Sequence, residues 1–321
     1  MRILLTGATG QVGGALLASL SGFGVVLAPA RSELDLATPL AIRKFLDGSK
    51  PDLIVNPAAY TAVDRAEDEP ELAFRVNSES PREMAHWAAC HDVPLIHFST
   101  DYVFDGSGES AWREDDVTAP LSVYGKSKLA GDEAVRAGGA PSLIVRTSWV
   151  YANQGRNFML TVIRLAAEQK ELRIVCDQVG APTSARVIAN AVTKLVETGM
   201  PSLRNRIRDC DIVNIACSGE TSWFGFAEAI VDGLRRRNLG VKAERVIPIK
   251  SQDYPTRAVR PYNSRLDPTR AREIFSIRMP SWQEALDAEF AGLAELRGVS
   301  IAPLTPPASE GVDRAHHPPQ T

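Results

Sequence analysis

The sequence predicts an α/β protein built on a doubly wound parallel sheet of the Rossmann type, with a smaller, discontinuous α/β substrate-binding lobe. Over the first 150 residues, short apolar runs alternate with helix-like stretches, the order that covers both faces of a parallel sheet with helices. Gly7, Asn56, Thr100 and Trp149 each follow an apolar run. Ligands of such sheets bind beyond the carboxyl ends of the strands, so we expect one crevice there.

The first strand, Met1–Thr6, leads into a glycine-rich turn and then into a helix over Ala15–Leu20. The turn has the spacing G-x-x-G-x-x-G, with glycines at Gly7, Gly10 and Gly13. Glycines at these positions permit a tight turn, close approach of backbone to a pyrophosphate, and close helix–strand packing. The opening residues therefore predict a dinucleotide-binding βαβ unit.

Four more strands and three helices complete the predicted first unit. Thr38 is predicted to cap the first of these helices, because threonine favours that position. The predicted strands are Gly24–Ala28, Leu53–Asn56, Pro94–Ser99 and Ser142–Arg146, and the helices are Pro39–Leu46, Glu71–Cys90 and one that carries Tyr124 and Lys128.

The pattern loosens after residue 150, which predicts a domain boundary there. We expect residues 1–150 to form the dinucleotide-binding domain and residues 151–300 mainly a substrate-binding lobe, with part of that segment returning to the first domain. Aromatic, glycine and proline residues in this segment are equally compatible with substrate binding and with loop packing. Residues 301–321 are rich in proline and poor in apolar residues, so a disordered tail is expected.

Composition excludes several classes of protein. The chain of 321 residues is 44% hydrophobic and carries a formal net charge of −3, which argues against nucleic-acid binding. No stretch approaches the ~20 apolar residues of a membrane span, and no secretory signal opens the chain. We therefore expect a cytoplasmic protein with buried free thiols at Cys90, Cys176, Cys210 and Cys217, and no metal site around His86, His91 or His97.

The pair Tyr124 and Lys128 predicts proton-transfer chemistry. Residues four apart on a helix share one face, with Cβ atoms about 5–6 Å apart. An ammonium held beside a phenol favours the phenolate and lowers the tyrosine pKa. A tyrosine tuned in this way exchanges protons with a hydroxyl or a ketone near neutral pH.

The end of the second strand bears on the choice of cofactor. An acidic residue there favours NAD, whereas this chain has Arg31. Arg31 can pair with a 2′-phosphate, which favours NADPH, or it can simply face solvent. NADPH is therefore the expected cofactor, and NADH remains possible.

Taken together, these motifs resemble the extended short-chain dehydrogenases/reductases, and within them the dTDP-4-dehydrorhamnose reductase family. The resemblance covers residues 1 to about 295. Beyond the glycine turn and the Tyr124/Lys128 pair, it rests on the stretches Tyr60–Asp64, Ser99–Gly106, Thr147–Tyr151, Gly180–Thr183 and Arg260–Asp267.

The resemblance implies reduction of the C4 ketone of dTDP-4-dehydro-β-L-rhamnose, with Thr100, Tyr124 and Lys128 as the catalytic residues. It also implies cofactor binding by Gly7, Gly10, Gln11, Val12, Gly13, Arg31, Asp35, Leu36, Ala58, Ala59, Tyr60, Tyr124 and Lys128. The implied substrate-binding residues are Thr61, Val63, Tyr102, Trp149 and Asn157.

Three alternatives differ at identifiable features. Related 4,6-dehydratases have a glutamate after Thr-Asp, where this chain has Tyr102. Related 4-epimerases lack the Tyr60–Asp64 stretch. A non-catalytic dinucleotide-binding subunit, like the regulatory subunit of methionine adenosyltransferase, does not require the complete set of Thr100, Tyr124 and Lys128.

One departure from the family concerns assembly. Some members dimerise through a magnesium ion held by glutamates, one of them just after the glycine turn. This chain has Gly14 and Ala15 there, and Arg186 near the position of a second glutamate. We therefore expect no metal requirement, while the oligomeric state is left open.

Overall fold

A computed structural model describes residues 1–209 and 211–297 of the chain. The strands, β1 to β13 in order, are Arg2–Leu5, Val25–Leu27, Leu53–Asn56, Leu95–Thr100, Ser142–Thr147, Val150–Tyr151, Glu171–Val175, Val179–Gly180, Thr183–Ser184, Ile212–Asn214, Thr221–Ser222, Arg245–Ile249 and Asn263–Ser264. The α-helices, α1 to α12, are Gln11–Leu20, Pro39–Ser49, Val63–Ala66, Pro70–Phe74, Ser80–His91, Val123–Ala137, Phe158–Glu168, Ala185–Glu197, Met200–Asp209, Trp223–Arg236, Thr269–Phe275 and Trp282–Arg297.

Six strands form one parallel sheet in the order β10-β5-β4-β3-β1-β2. Five of them are the predicted strands, each within two residues of the predicted ends. The sixth, β10, was not predicted, because it has three residues and lies far along the chain among lobe elements. The buried apolar residues on the two faces of the sheet form two core clusters, one under α1 and α8 and one under α2 and α5. The α/β fold prediction is confirmed.

The predicted long helix over residues 71–90 is three consecutive helical segments. A π-helical stretch, Arg75–Glu79, separates α4 from α5. It buries Asn77, whose side chain accepts from the amide of Tyr60 at 2.7 Å and donates to its carbonyl at 3.0 Å. π-turns inside helices frequently accompany functional sites, and this one holds the loop that follows β3.

A further core cluster lies within residues 151–293, between α7, α10 and α12. Two small sheets, β7 with β12 and β11-β8-β13, border it. Helix α8 returns to the large sheet and packs against α1. The proposed division at residue 150 stays a prediction, and the predicted tail lies outside the described residues.

Two local predictions are wrong. Thr38 occupies the N-cap position of α2, but its side chain makes no capping hydrogen bond; Pro39 at the first turn presets the helical backbone instead. Cys90 is exposed at the end of α5, and Cys176 is half-buried; only Cys217 is buried among the described cysteines, all three of which are free. Within the described ranges, no helix is long and apolar enough to cross a membrane.

Candidate active site

Two adjoining cavities lie along the carboxyl edge of the large sheet. One has a volume of about 690 Å³ and the other of about 550 Å³, and both are lined by Gly7 and Ala58. Every site residue predicted from the sequence lines one of them. The smaller cavity contacts Gly7, Arg31, Asp35, Leu36, Ala58, Ala59 and Tyr60, and the larger one Gly7, Gly10, Gln11, Val12, Gly13, Ala58, Ala59, Thr61, Val63, Thr100, Tyr102, Tyr124, Lys128, Trp149 and Asn157.

The glycine turn is shaped for close backbone approach. Gly7 has a φ of +59°, and a Cβ there would lie 2.9 Å from the Cα of Ala58. A Cβ on Gly13 would lie 2.0 Å from the carbonyl oxygen of Gly7, so only glycine fits. Helix α1 begins beyond Gly10 without a side-chain cap, and its first residues line the larger cavity. Uncapped amides and the helix dipole suit a diphosphate.

Polar residues at the edge of the smaller cavity range from half-buried to exposed. Tyr60 donates a hydrogen bond from its hydroxyl to Glu69 at 2.8 Å, and burial, then Glu69, raises its pKa to about 12. Arg31 keeps 78% of its side chain exposed and lies 3.4 Å from Asp35. Its guanidinium is therefore accessible at the cavity rim.

Helix α6 carries the Tyr124/Lys128 pair into the larger cavity. Ser122 caps the helix by accepting from the amide of Gly125 at 3.1 Å. A Cβ on Gly125 would lie 2.3 Å from the carbonyl oxygen of Tyr102, so the first turn packs directly against the segment after β4. Close packing brings Tyr124 beside Tyr102, with ring centroids 5.5 Å apart in an edge-to-face arrangement.

The prediction that Lys128 lowers the pKa of Tyr124 is wrong for this structure. Tyr124 is half-buried at the cavity wall, yet burial of its phenol raises its pKa, opposed by a hydrogen bond with Thr100. The Lys128 ammonium instead donates to the carbonyl oxygen of Phe98 at 2.6 Å. Burial lowers the pKa of Lys128 to about 8. The physical reason is that desolvation of the phenol is the largest influence on its pKa, while the Lys128 ammonium is turned toward the backbone of Phe98.

Thr100 ends β4 and belongs to a short polar chain. Its hydroxyl donates to Asp101 at 3.0 Å and accepts from the amide of Tyr102 at 3.2 Å. Burial raises the pKa of Asp101 to about 6, while hydrogen bonds from Ser264 and Thr100 oppose this shift. Thr100 is therefore held in place beside the phenol of Tyr124.

Aromatic rings from the turn after β5 and from the start of α10 form a further wall of the cavity. Trp149 stacks on Trp223 with ring centroids 3.6 Å apart, and its backbone has a φ of +49°, in the left-handed region. A Cβ on Gly180 would lie 2.8 Å from the Trp149 ring. Asn157 caps α7 and donates to the side chain of Gln11 at 3.0 Å. Asn157 therefore links the start of α7 to the residue that follows Gly10 of the glycine turn.

Arg156, Trp223 and Arg260 are among the cavity residues that sequence reasoning missed. Arg260 donates to Asp64 at 2.6 Å and approaches the hydroxyl of Tyr102 at 3.4 Å. Asp64 and Arg260 both lie in the stretches that carry the family resemblance, and an opposite-charge pair between two such stretches is a signal that could have found them.

Arg186, which stands near the position of the second metal-binding glutamate of some family members, forms an ion pair within this chain. Arg186 lies 3.1 Å from Glu289, a carboxylate that is 2% exposed. Glu289 also accepts from the amide of Asn153 at 3.1 Å. An arginine thus provides the counter-charge of this buried glutamate.

A family model described as RmlD substrate binding domain matches residues 1–294, nearly all of the described chain. The chain belongs to this family. Its curated relatives include the dTDP-4-dehydrorhamnose reductase of Burkholderia thailandensis, 42% identical over 288 residues, which are 89% of this chain and 97% of the relative. The reductase of Escherichia coli K12 is 39% identical over 287 residues, covering 88% and 95%.

Solved structures of family members agree. The dTDP-4-dehydrorhamnose reductase of Clostridium acetobutylicum superimposes with a TM-score of 0.82 at 35% identity, covering 91% of this chain and 99% of the other. The Bacillus anthracis reductase, solved in complex with NADP, has a TM-score of 0.81 at 32% identity with the same coverage. The resemblance inferred from the motifs is confirmed.

Proposed function

We propose that this protein is an NADPH-dependent reductase that converts the C4 ketone of dTDP-4-dehydro-β-L-rhamnose to the alcohol of dTDP-L-rhamnose. The observation that carries the proposal is the meeting of Thr100, Tyr124 and Lys128 in one cavity beside the glycine turn. Full-length relatives of the same family are named for this reaction.

The chain's own residues can supply the proton and hold the developing charge. Bound NADPH would supply the hydride. Tyr124, whose raised pKa keeps it protonated near neutral pH, donates its proton to the ketone oxygen. Thr100 turns the single hydroxyl proton that it otherwise donates to Asp101 toward that oxygen as it becomes an alkoxide, the stabilisation typical of an oxyanion hole. Lys128, buried at the cavity wall, would hold the nicotinamide ribose.

The rest of the cavity suits a nucleotide sugar. The stacked pair Trp149 and Trp223 offers a flat apolar face, and Tyr102, Thr61 and Val63 line the space next to Tyr124. Arg156 and Arg260 put positive charge at the same cavity, where a substrate diphosphate requires it.

Cofactor preference, location and metal use remain parts of the proposal. The exposed Arg31 guanidinium favours a 2′-phosphate, and a related reductase was solved with NADP, so NADPH is preferred and NADH possible. We propose a cytoplasmic enzyme that needs no metal and does not bind nucleic acid.

The test is NADPH oxidation in the presence of enzymatically generated dTDP-4-dehydro-β-L-rhamnose, followed by absorbance, with and without EDTA. We expect turnover by the wild type in both conditions. The variant Tyr124→Phe should lose about 10²- to 10⁴-fold in kcat while it still binds NADPH, measured by nucleotide fluorescence. Tyr254→Phe, at an exposed tyrosine outside the cavity, is the matched control.

Two outcomes would contradict the proposal. Unchanged turnover of Tyr124→Phe excludes Tyr124 as the proton donor. Absence of oxidation with either NADPH or NADH, despite demonstrated cofactor binding, excludes this reductase activity and favours first another nucleotide-sugar ketone as substrate and then a dinucleotide-binding subunit.

A further inference from the structure

A chain of buried polar side chains runs beneath the cavity from β1 to Lys128. The hydroxyl of Thr6 lies 2.6 Å from Oδ1 of Asn56, and Nδ2 of Asn56 lies 3.0 Å from Nδ1 of His97. Nε2 of His97 lies 3.5 Å from Nζ of Lys128. All four side chains are at most 2% exposed, so solvent does not compete with these contacts.

A backbone amide sets the direction of this chain. The amide of Ala58 donates to the hydroxyl oxygen of Thr6 at 3.3 Å, which leaves the Thr6 proton free to point at Asn56. The separation of 2.6 Å is typical of an O–H···O bond and short for N–H···O, so the facing atom of Asn56 is its oxygen. The amide nitrogen of Asn56 therefore donates to His97.

This direction determines the tautomer of His97. Because Nδ1 accepts from Asn56, the single proton of the neutral ring is on Nε2. Burial, and then the charge of Lys128, lowers the pKa of His97 well below its usual value, which keeps the ring neutral. The Nε2–H group consequently points at the amino group of Lys128.

A donor facing Lys128 favours one charge state over the other. The neutral amine has a lone pair that can accept from His97, and one of its N–H groups donates to Phe98 at 2.6 Å. The ammonium has three donors and no lone pair, so its contact with His97 joins two donors. The contact therefore stabilises the amine relative to the ammonium.

We propose that His97 is a positioning residue for the reductase reaction, which fixes Lys128 and eases the loss of a proton from its ammonium. The inference rests on the proposed function. After Tyr124 has given its proton to the ketone oxygen, a water in the cavity that both residues line carries a proton from the Lys128 ammonium to the phenolate. The resulting amine accepts the hydrogen bond of His97 until solvent returns a proton to it.

The other charged groups around Lys128 do not outweigh the influences that favour its neutral amine. Asp132, one turn further along α6, raises the pKa of Lys128, but its carboxylate also accepts from Ser99 at 2.7 Å and lies 3.7 Å from Arg146. The negative charge of Asp132 therefore interacts with Ser99 and Arg146 as well as with Lys128. Burial remains the larger influence and lowers the pKa of Lys128 to about 8.

On the cavity side, the titratable groups beside Lys128 are Tyr124, Tyr102 and Asp101. Burial raises the pKa of Tyr102 to about 12 and that of Asp101 to about 6. Asp101 therefore changes its charge near pH 6, below the range near pH 8 in which Lys128 loses its proton.

The first test needs no substrate. Nitrogen NMR of the ¹⁵N-histidine-labelled protein distinguishes the two ring nitrogens, and the His97 signals are assigned by their absence in His97→Leu. We expect a neutral ring with its proton on Nε2. A proton on Nδ1, or a charged imidazolium near neutral pH, would overturn the inference whether or not the chain reduces the proposed sugar.

The second test is the pH profile of kcat. Because the ammonium of Lys128 is the required form, activity falls at alkaline pH as Lys128 loses its proton. His97→Leu should move this limb upward by about one pH unit, since the amine loses its hydrogen-bond donor. His86→Leu, at an exposed position on α5, should leave the limb unchanged. A lower kcat with an unmoved limb would mean that His97 only packs the core.

A milder variant covers the case in which His97→Leu fails to fold. Thr6→Val keeps the shape of residue 6 and removes only the hydroxyl that orients Asn56. We expect a mixture of His97 tautomers by NMR and a smaller upward shift of the alkaline limb. Unchanged tautomer and unchanged limb in a folded Thr6→Val protein would contradict the proposed chain of hydrogen bonds.

Discussion

The two walls of the larger cavity are built in contrasting ways. The sheet wall carries Thr100 and Lys128, both at most 6% exposed and hydrogen-bonded to neighbouring backbone. The facing wall, which carries Trp223 and Arg260 and is called the lobe wall below, is held to residues 64–68 by ion pairs with substantial exposure, Arg260 with Asp64 and Arg257 with Asp68. Buried groups have large pKa shifts, whereas exposed pairs contribute little and are screened by salt.

The difference teaches how chemistry and recognition are separated in this fold. The sheet wall holds its groups by packing that a substrate cannot rearrange, which suits proton transfer. The lobe wall holds its groups by contacts that a charged ligand can compete for, which suits binding and release. Changes on the sheet wall should therefore alter kcat, and changes on the lobe wall should alter KM.

After Tyr124, the largest effect is expected at Thr100. Thr100→Val removes the hydroxyl that stabilises the alkoxide and should lower kcat about 10²- to 10³-fold with little change in KM. Thr100→Ser, which keeps the hydroxyl, is the matched control and should stay within about tenfold of the wild type. If Thr100→Val raised KM and left kcat intact, Thr100 would belong to recognition rather than chemistry.

Asp101 should make stability depend on pH. Burial raises its pKa from 3.8 to about 6, so between these values the folded chain binds more protons than the unfolded chain. The free energy of unfolding therefore falls as pH rises through this range, by on the order of 3 kcal/mol. Asp101→Asn lacks this titration, and its stability relative to wild type should increase from pH about 4 to about 6.

Denaturant unfolding at several pH values measures that difference. Asp105 is the matched control on the same segment, because hydrogen bonds with Ser107 lower its pKa. Asp105→Asn should give a difference of the opposite sign. A parallel pH dependence of wild type and Asp101→Asn would show that Asp101 is not buried as a carboxylic acid.

The lobe wall is tested at Trp223. Trp223→Ala removes the ring that stacks on Trp149 at 3.6 Å, an interaction of about 0.5–1.5 kcal/mol. We expect KM for the sugar nucleotide to rise roughly 2- to 10-fold and kcat to change less. Steady-state kinetics measures both constants, with Tyr254→Ala as the exposed control. A fall in kcat without a rise in KM would contradict the assignment of this wall to binding.

The smallest effect is expected at Arg31. The side chain is mostly exposed, so its pairing with a 2′-phosphate contributes about 0.2–1 kcal/mol, at most about fivefold in KM for NADPH. Arg31→Ala should leave KM for NADH unchanged, and Arg43→Ala, exposed on α2, should change neither. Equal rises in KM for NADPH and for NADH would show that Arg31 does not bind the 2′-phosphate.

Local patterns were sufficient for much of the fold and of the site. The glycine turn and the strand periodicity located five strands and the crevice, because both depend on residues close together in sequence. The spacing of Tyr124 and Lys128 placed them one turn apart on α6. Strand β10 was not predicted because its three residues, only two of them apolar, carry too little periodicity.

Long-range contacts account for what was missed. Arg260 reaches Asp64 across 196 positions, and Asn214 of β10 holds Glu114 across 100. No spacing rule connects residues so far apart. His97 was considered only as a possible metal ligand, because its partners Asn56 and Lys128 lie on different elements.

The sequence by itself determined the parallel sheet, the dinucleotide-binding turn and the placing of Tyr124 and Lys128 one turn apart on one helix, since each depends on backbone preference or on spacing within one element. Only the tertiary structure decided the charge states. Lys128 faces Phe98 and His97, and the phenol of Tyr124 is buried beside Thr100, so desolvation governs both pKa values. Burial is a property of the packed chain, because it depends on every element that surrounds the group.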